Sequence, residues 1–189
     1  MRRIWTAIVK LCGWRFAMPD VASRPELMRC VYVAAPHTAV SDFLVGIPYM
    51  WAVGTPGHIF IKKEFFRWPL GALLRRFGCV SIDRGNRHNG LVQKAVQGFR
   101  EHGDFSVVIT PEATRKPVRR WKRGFWEIAV RAGVPVVPVY IDFGRKEVGL
   151  FDTVWPTDDY EADVRRIRAL YRSDMAKRPA QFVEIEENI

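Results

Sequence analysis

CVYVAAPHTAVSDFLVGIPYMWAV, residues 30–53, decides how the chain folds. Its first six residues form a short β-rich run, the pattern of a buried strand. Pro36 disfavours helix at Ala35 and helps fix the turn that follows. Ser41 stands where an N-cap is expected, so a helix is predicted to start there.

The same alternation recurs along the chain. Strands are predicted at 58–63, 79–83, 105–110, 134–142 and 147–151. Helices are predicted at 69–78, 90–103, 124–133 and 159–173, several opening on proline or closing on glycine. The last has Val164, Ile167, Leu170 and Tyr171 on one face. Alternating strands and helices predict a single α/β domain with a mixed, largely parallel central sheet flanked by helices. Functional loops then gather at the carboxyl ends of the strands. The expected division is an amphipathic N-terminal helix and linker over 1–27 and the domain proper over 28–189.

His37 follows Pro36 at once, and Asp42 comes five residues later. On a regular helix the two would point about 140° apart. They meet only if His37 lies in the strand-to-helix turn and Asp42 in the first helical turn. A carboxylate that holds an imidazole in one tautomer makes it a general base. No G-x-S-x-G elbow supplies a nucleophile, so a base here would act on a hydroxyl of the substrate. The competing reading is a helix cap beside a surface histidine. His58, His88 and His102 form no metal-ligand spacing with His37, and no metal is expected.

Two further strand ends carry charge. GCVSIDRGNRHNG, residues 78–90, places Arg84 just before a glycine. VVITPEATRKP, residues 107–117, sets Glu112, Thr114 and Arg115 behind Pro111. Arginine at a strand's carboxyl end can grip a phosphate bidentately, and a neighbouring glutamate can orient it or bind a hydroxyl. Either stretch alone also reads as a solvated turn; three such clusters at strand ends point to one site.

HTAVSD (37–42), GCVSIDRG (78–85), PEATR (111–115) and VPVVPV (134–139) resemble, in order and spacing, the four blocks of the glycerolipid acyltransferase superfamily. The likeness is greatest to 1-acyl-sn-glycerol-3-phosphate acyltransferases and covers roughly residues 28–142. The resemblance implies that His37 deprotonates a free hydroxyl of a lysophospholipid while Asp42 orients its ring. The hydroxyl attacks an acyl thioester, with acyl-CoA or acyl carrier protein as co-substrate and no bound cofactor. It further implies that Arg84 and Arg115 hold the acceptor's phosphate. Glu112 positions the glycerol or the arginines, and Thr114 shapes the turn or bonds the acceptor. Lys62 and Lys63 are weaker candidates for phosphate or donor contact. The preferred acceptor is lysophosphatidate, the alternative another lysolipid. Ala113 stands where the family has glycine, and Pro36 where asparagine often precedes the histidine.

Charge and aromatic content bear on partners. The net charge is +10; residues 152–189 hold six Lys/Arg against nine Asp/Glu, net −3, which leaves +13 on residues 1–151. A basic body suits a polyanionic partner. TRKPVRRWKRGFW, residues 114–126, combines six cations with Trp121 and Trp126 and no acid. It reads as a membrane-surface contact, with Trp121 at the interface and Trp126 packed inward. Ile4, Ile8, Leu11 and Cys12 share one face of the first helix, flanked by Trp5. That helix either lies in a membrane interface or packs on the domain. No stretch is long enough to span a bilayer, and no cleavable leader is expected. The expected location is the cytoplasmic face of a membrane. A basic membrane- or nucleic-acid-binding protein without catalysis is the rival, but no nucleic-acid recognition motif is present and none is expected as partner. A thioester hydrolase is a second rival. Cys12, Cys30 and Cys79 form no disulfide framework and read as buried thiols of a reducing compartment.

Overall fold

A computed structural model describes residues 2–82 and 90–184. Its elements, in chain order, are α1 (Arg2–Leu11), β1 (Arg15–Phe16), β2 (Val31–Ala35), α2 (Ser41–Val53), β3 (Gly57–Lys62), α3 (Leu70–Arg76), β4 (Cys79–Ile82), α4 (Leu91–Glu101), β5 (Ser106–Ile109), α5 (Gly124–Ala132), β6 (Val136–Asp142), β7 (Glu147–Leu150) and α6 (Tyr160–Arg168). The seven strands form one sheet in the order β1-β7-β6-β2-β5-β3-β4. Every neighbouring pair is parallel except β6 with β7. The expected mixed, largely parallel α/β sheet is what forms.

β2 sits near the middle of the sheet, between β6 and β5. Its residues alternate between two cores, as the two-residue period of a strand requires. Val31, Val33 and Ala35 join the core that holds Phe99 of α4 and Phe125 and Ile128 of α5. Tyr32 and Ala34 join the core of Val45, Tyr49 and Met50 of α2. Burial on both faces explains why β2 reads as a continuous apolar run. The strands run the same way, so the carboxyl ends of β2 and β5 open side by side.

Some boundaries differ from the sequence reading. Ser41 is the first residue of α2 and not its cap; Val40 holds that position in a helical conformation, without a side-chain cap bond. α6 ends at Arg168, and the chain turns into a 3-10 helix at Ser173–Met175. The residues before 28 supply both α1 and the edge strand β1, which pairs with β7. Cys30 and Cys79 are buried free thiols, whereas Cys12 is exposed.

α1 divides its surface in two. Val9 is buried, and the Trp5 indole donates to the Leu44 carbonyl of α2 at 3.1 Å. Ile4, Ile8 and Leu11 remain exposed, by 65%, 41% and 87%. The helix packs on the domain through one face and offers a second apolar face outward. Among the described residues no helix is long and apolar enough to cross a membrane.

Gly98 of α4 marks a close approach. A Cβ built there would lie 2.3 Å from the ring of Phe105. That ring is held among Phe99, His58 and His102 and has little room to move. Alanine would gain about 1 kcal/mol of helix propensity. Overpacking costs about 1–3 kcal/mol, and with a clash this short its upper part applies. Gly98→Ala is expected to lower the unfolding free energy by about 1–2 kcal/mol in urea denaturation; equal or greater stability would show that the ring yields.

Candidate active site

The turn from β2 into α2 is built around one carboxylate oxygen. Asp42 Oδ2 accepts the backbone N–H of Thr38 at 2.9 Å and of Ala39 at 2.9 Å. The same oxygen lies 3.1 Å from His37 Nδ1. An oxygen that receives two backbone N–H groups carries no proton of its own, so His37 Nδ1 is the donor. Nε2 is then the unprotonated nitrogen, available to accept a proton. Asp42 lies in the first turn of α2, where the helix dipole favours negative charge. This is the placement that the five-residue spacing demanded: His37 in the turn, Asp42 inside the helix.

The PEATR turn closes against it. Glu112 Oε2 accepts the His37 backbone N–H at 2.8 Å. The Glu112 side chain is buried, and burial, the largest influence, pushes its pKa up to about 7 against the opposing His37 N–H. Asp42 Oδ1 and Glu112 Oε1 are buried without a hydrogen-bond partner among the described residues. The Ala113 N–H donates to the Thr110 carbonyl at 3.0 Å, and Ala113 adopts φ 56°. This is the left-handed region, so alanine costs on the order of 1 kcal/mol where glycine would cost nothing. Thr114 Oγ1 accepts the Lys116 N–H at 3.2 Å and shapes the turn.

The His37 ring opens onto an apolar cavity of about 380 Å³. His37, Asp42, Thr110 and Lys122 supply its polar lining, and residues such as Met50 and Phe125 much of the apolar remainder. A largely apolar cavity with a few convergent polar groups is the usual form of a small-molecule site.

The predicted site residues fare differently. His37, Asp42 and Glu112 are drawn together by hydrogen bonds, whereas Thr114 bonds only within its own turn, to the Lys116 N–H, and Arg115 is exposed on that turn. Arg84 lies outside the described residues, and of Lys62 only the backbone, at the end of β3, is described. Lys63 is exposed and opens the 3-10 helix Lys63–Phe66. Glu112 was expected to face the acceptor or the arginines; its hydrogen bond is to the backbone of His37. Trp121, expected at a membrane interface, is 5% exposed. Its ring packs on Phe125 and Tyr171, and the Arg168 guanidinium lies over it at 5.6 Å. α6 supplies that cover, and nothing in the local pattern of the loop announces it. Trp126 is half-buried, as expected, and donates to Asp163 Oδ2 at 2.9 Å. Sequence reading assigned no role to Lys122 at the cavity or to Arg168, which donates to the Arg119 carbonyl at 2.7 Å. No group of three His, Cys, Asp or Glu side chains among the described residues could hold a metal ion.

A family model described as Acyltransferase matches residues 21–142. The chain belongs to the acyltransferase family. It is 31% identical over 152 residues to a 1-acyl-sn-glycerol-3-phosphate acyltransferase of Pseudomonas aeruginosa. That alignment takes in 75% of this chain and 54% of the relative, so the chain spans about half the length of the curated protein it matches. The crystal structure of the 1-acyl-sn-glycerophosphate acyltransferase of Thermotoga maritima is similar to this fold, with a TM-score of 0.61 and 21% identity. The match covers 87% of this chain and 72% of that one. At that identity the likeness speaks for the fold alone.

Glu112 gives the site a pH signature. Its carboxyl is raised in the folded state, so the folded protein binds the extra proton between the unfolded value of 4.5 and about 7. The contribution of Glu112 to stability is complete below that window and lost as pH rises through it. Against Glu112→Gln, the wild type is expected to lose on the order of 3 kcal/mol between pH 4.5 and pH 7.5. Denaturant melts of both proteins across that range check it, and a pH-independent difference would refute the buried proton.

Proposed function

We propose that this protein transfers a fatty acyl group from a thioester to the free hydroxyl of a lysophospholipid, with lysophosphatidate as acceptor. The observation that carries this reading is the His37–Asp42 pair at the polar end of an apolar cavity. His37 Nε2 takes the proton of the acceptor hydroxyl as its oxygen attacks the thioester carbonyl. The tetrahedral intermediate collapses with cleavage of the C–S bond, and the imidazolium returns the proton to the departing thiolate. Asp42 keeps Nδ1 protonated and supports the positive ring. No side-chain nucleophile is consumed. The apolar cavity suits a fatty chain, and coenzyme A or acyl carrier protein can serve as the thiol. Exposed Arg115, with Arg84, would hold the acceptor's phosphate, and the name of the Pseudomonas relative, a 1-acyl-sn-glycerol-3-phosphate acyltransferase, agrees with that acceptor.

The acceptor and product are bilayer lipids, and the surface suits contact with a membrane face. The exposed Ile4, Ile8 and Leu11 sit on a helix tied to Leu44, two residues after Asp42, and Val40 and Leu44, on either side of Asp42 in sequence, are exposed as well. The six cations of the 114–123 loop are all exposed and suit anionic headgroups. We place the protein peripherally, on the cytoplasmic face.

Purified protein with lysophosphatidate micelles and labelled acyl-CoA is expected to yield labelled phosphatidate. His37→Ala should lower turnover by at least about 100-fold with unchanged melting temperature. Labelled free fatty acid in place of phosphatidate would mark a hydrolase, and an active His37→Ala would remove the base. Sedimentation with phosphatidylglycerol vesicles tests the surface. Ile8→Asp with Leu11→Asp is expected to weaken binding about tenfold or more, and unchanged binding would move the contact elsewhere.

A further inference from the structure

The segment after α6 returns to the site from outside the region that the family model covers, which ends at residue 142. Pro179–Gln181 forms a 3-10 turn, and Phe182 behind it is buried in the core. One terminal atom of the Gln181 carboxamide faces two carbonyl oxygens, so that atom is assigned as the nitrogen. It donates to the Thr38 carbonyl at 3.0 Å and to the Arg115 carbonyl at 2.9 Å. The Arg178 backbone N–H adds a bond to Thr38 Oγ1 at 3.2 Å.

The Thr38 carbonyl shares its peptide unit with the Ala39 N–H, and that N–H is one of the donors to Asp42 Oδ2. Gln181 therefore pulls on one end of a peptide whose other end binds the carboxylate that orients His37. Hydrogen bonds in series through one peptide polarise each other. The second Gln181 N–H holds the backbone of Arg115. One carboxamide thus joins the loop of the base to the loop of the phosphate-binding arginine.

We propose that Gln181 is a positioning residue that sets the Asp42 cradle and the Arg115 turn at a fixed separation. The proposal rests on the reading of His37 and Arg115 given above for its catalytic consequence; the clamp itself is a property of the backbone. A C-terminal side chain with no contact to the imidazole would then govern both turnover and acceptor affinity.

The test uses the full chain with Gln181→Met, which keeps the length and removes the donors, and Gln181→Glu, which sets a carboxylate against the two carbonyls. Amide hydrogen exchange is expected to accelerate about tenfold or more at Ala39 in both variants, at wild-type exchange in the sheet core. In the acyl-transfer assay kcat is expected to fall roughly 10- to 100-fold. KM for the lysophospholipid should rise while KM for the thioester stays constant. Unchanged exchange at Ala39 would overturn the clamp. Loss of melting temperature with both KM values and the turnover per folded molecule unchanged would reduce Gln181 to a general fold contact and overturn the proposal too. If the wild type transfers no acyl group, the functional reading fails by itself, and the exchange measurement still decides the clamp.

Discussion

The site depends on Asp42 Oδ2. Three donors converge on it, two from the backbone of the turn and one from the imidazole. The backbone pair fixes the shape of the turn; the third bond fixes the tautomer and direction of the ring. A carboxylate at a helix N-terminus is well suited to this task, because the helix dipole and the local N–H groups act on it in the same sense. Removing the carboxylate would release the loop and the imidazole together, since both are held by this one oxygen.

Around that oxygen the fold adds a second ring of restraint. Glu112 grips His37 from the backbone side, and Gln181 grips the peptide that feeds Asp42. Arg168 holds the basic loop by the Arg119 carbonyl and the C-terminal segment by the Val183 carbonyl at 2.9 Å. Burial works against the charge of Arg168, and the Glu112 carboxylate is the main influence that supports it. Strands alone place the loops after β2 and β5 side by side at one edge of the sheet; the C-terminal residues lock those two loops to each other.

The outer surface follows a different logic. α1 is fastened by Trp5 and Val9, yet it leaves a row of large apolar side chains in water. The docking reading of that helix describes its inner face; the outward apolar face is the one proposed to meet a membrane. In the basic loop the outcome is split: the cations point outward while Trp121 serves the core, where an aromatic ring of its size buries on the order of 150–250 Å².

Much was legible from sequence because it depends on local rules. The β-rich run at 31–35, the glycine-closed helix at 124–132 and the His37–Asp42 spacing each follow from periodicity, capping or turn geometry within a dozen residues. The left-handed backbone at Ala113 was not legible in that way, because the departure from glycine fits a different turn equally well until φ is known. What only the tertiary structure decided involves partners far apart in the chain. Glu112 meets His37 across 75 residues of sequence, and the Arg178 N–H meets Thr38 across 140. Trp121 is buried because α6 covers it. A side chain's local pattern records its own preferences for water or core, but not which distant backbone group will stand within hydrogen-bond distance once the sheet has formed.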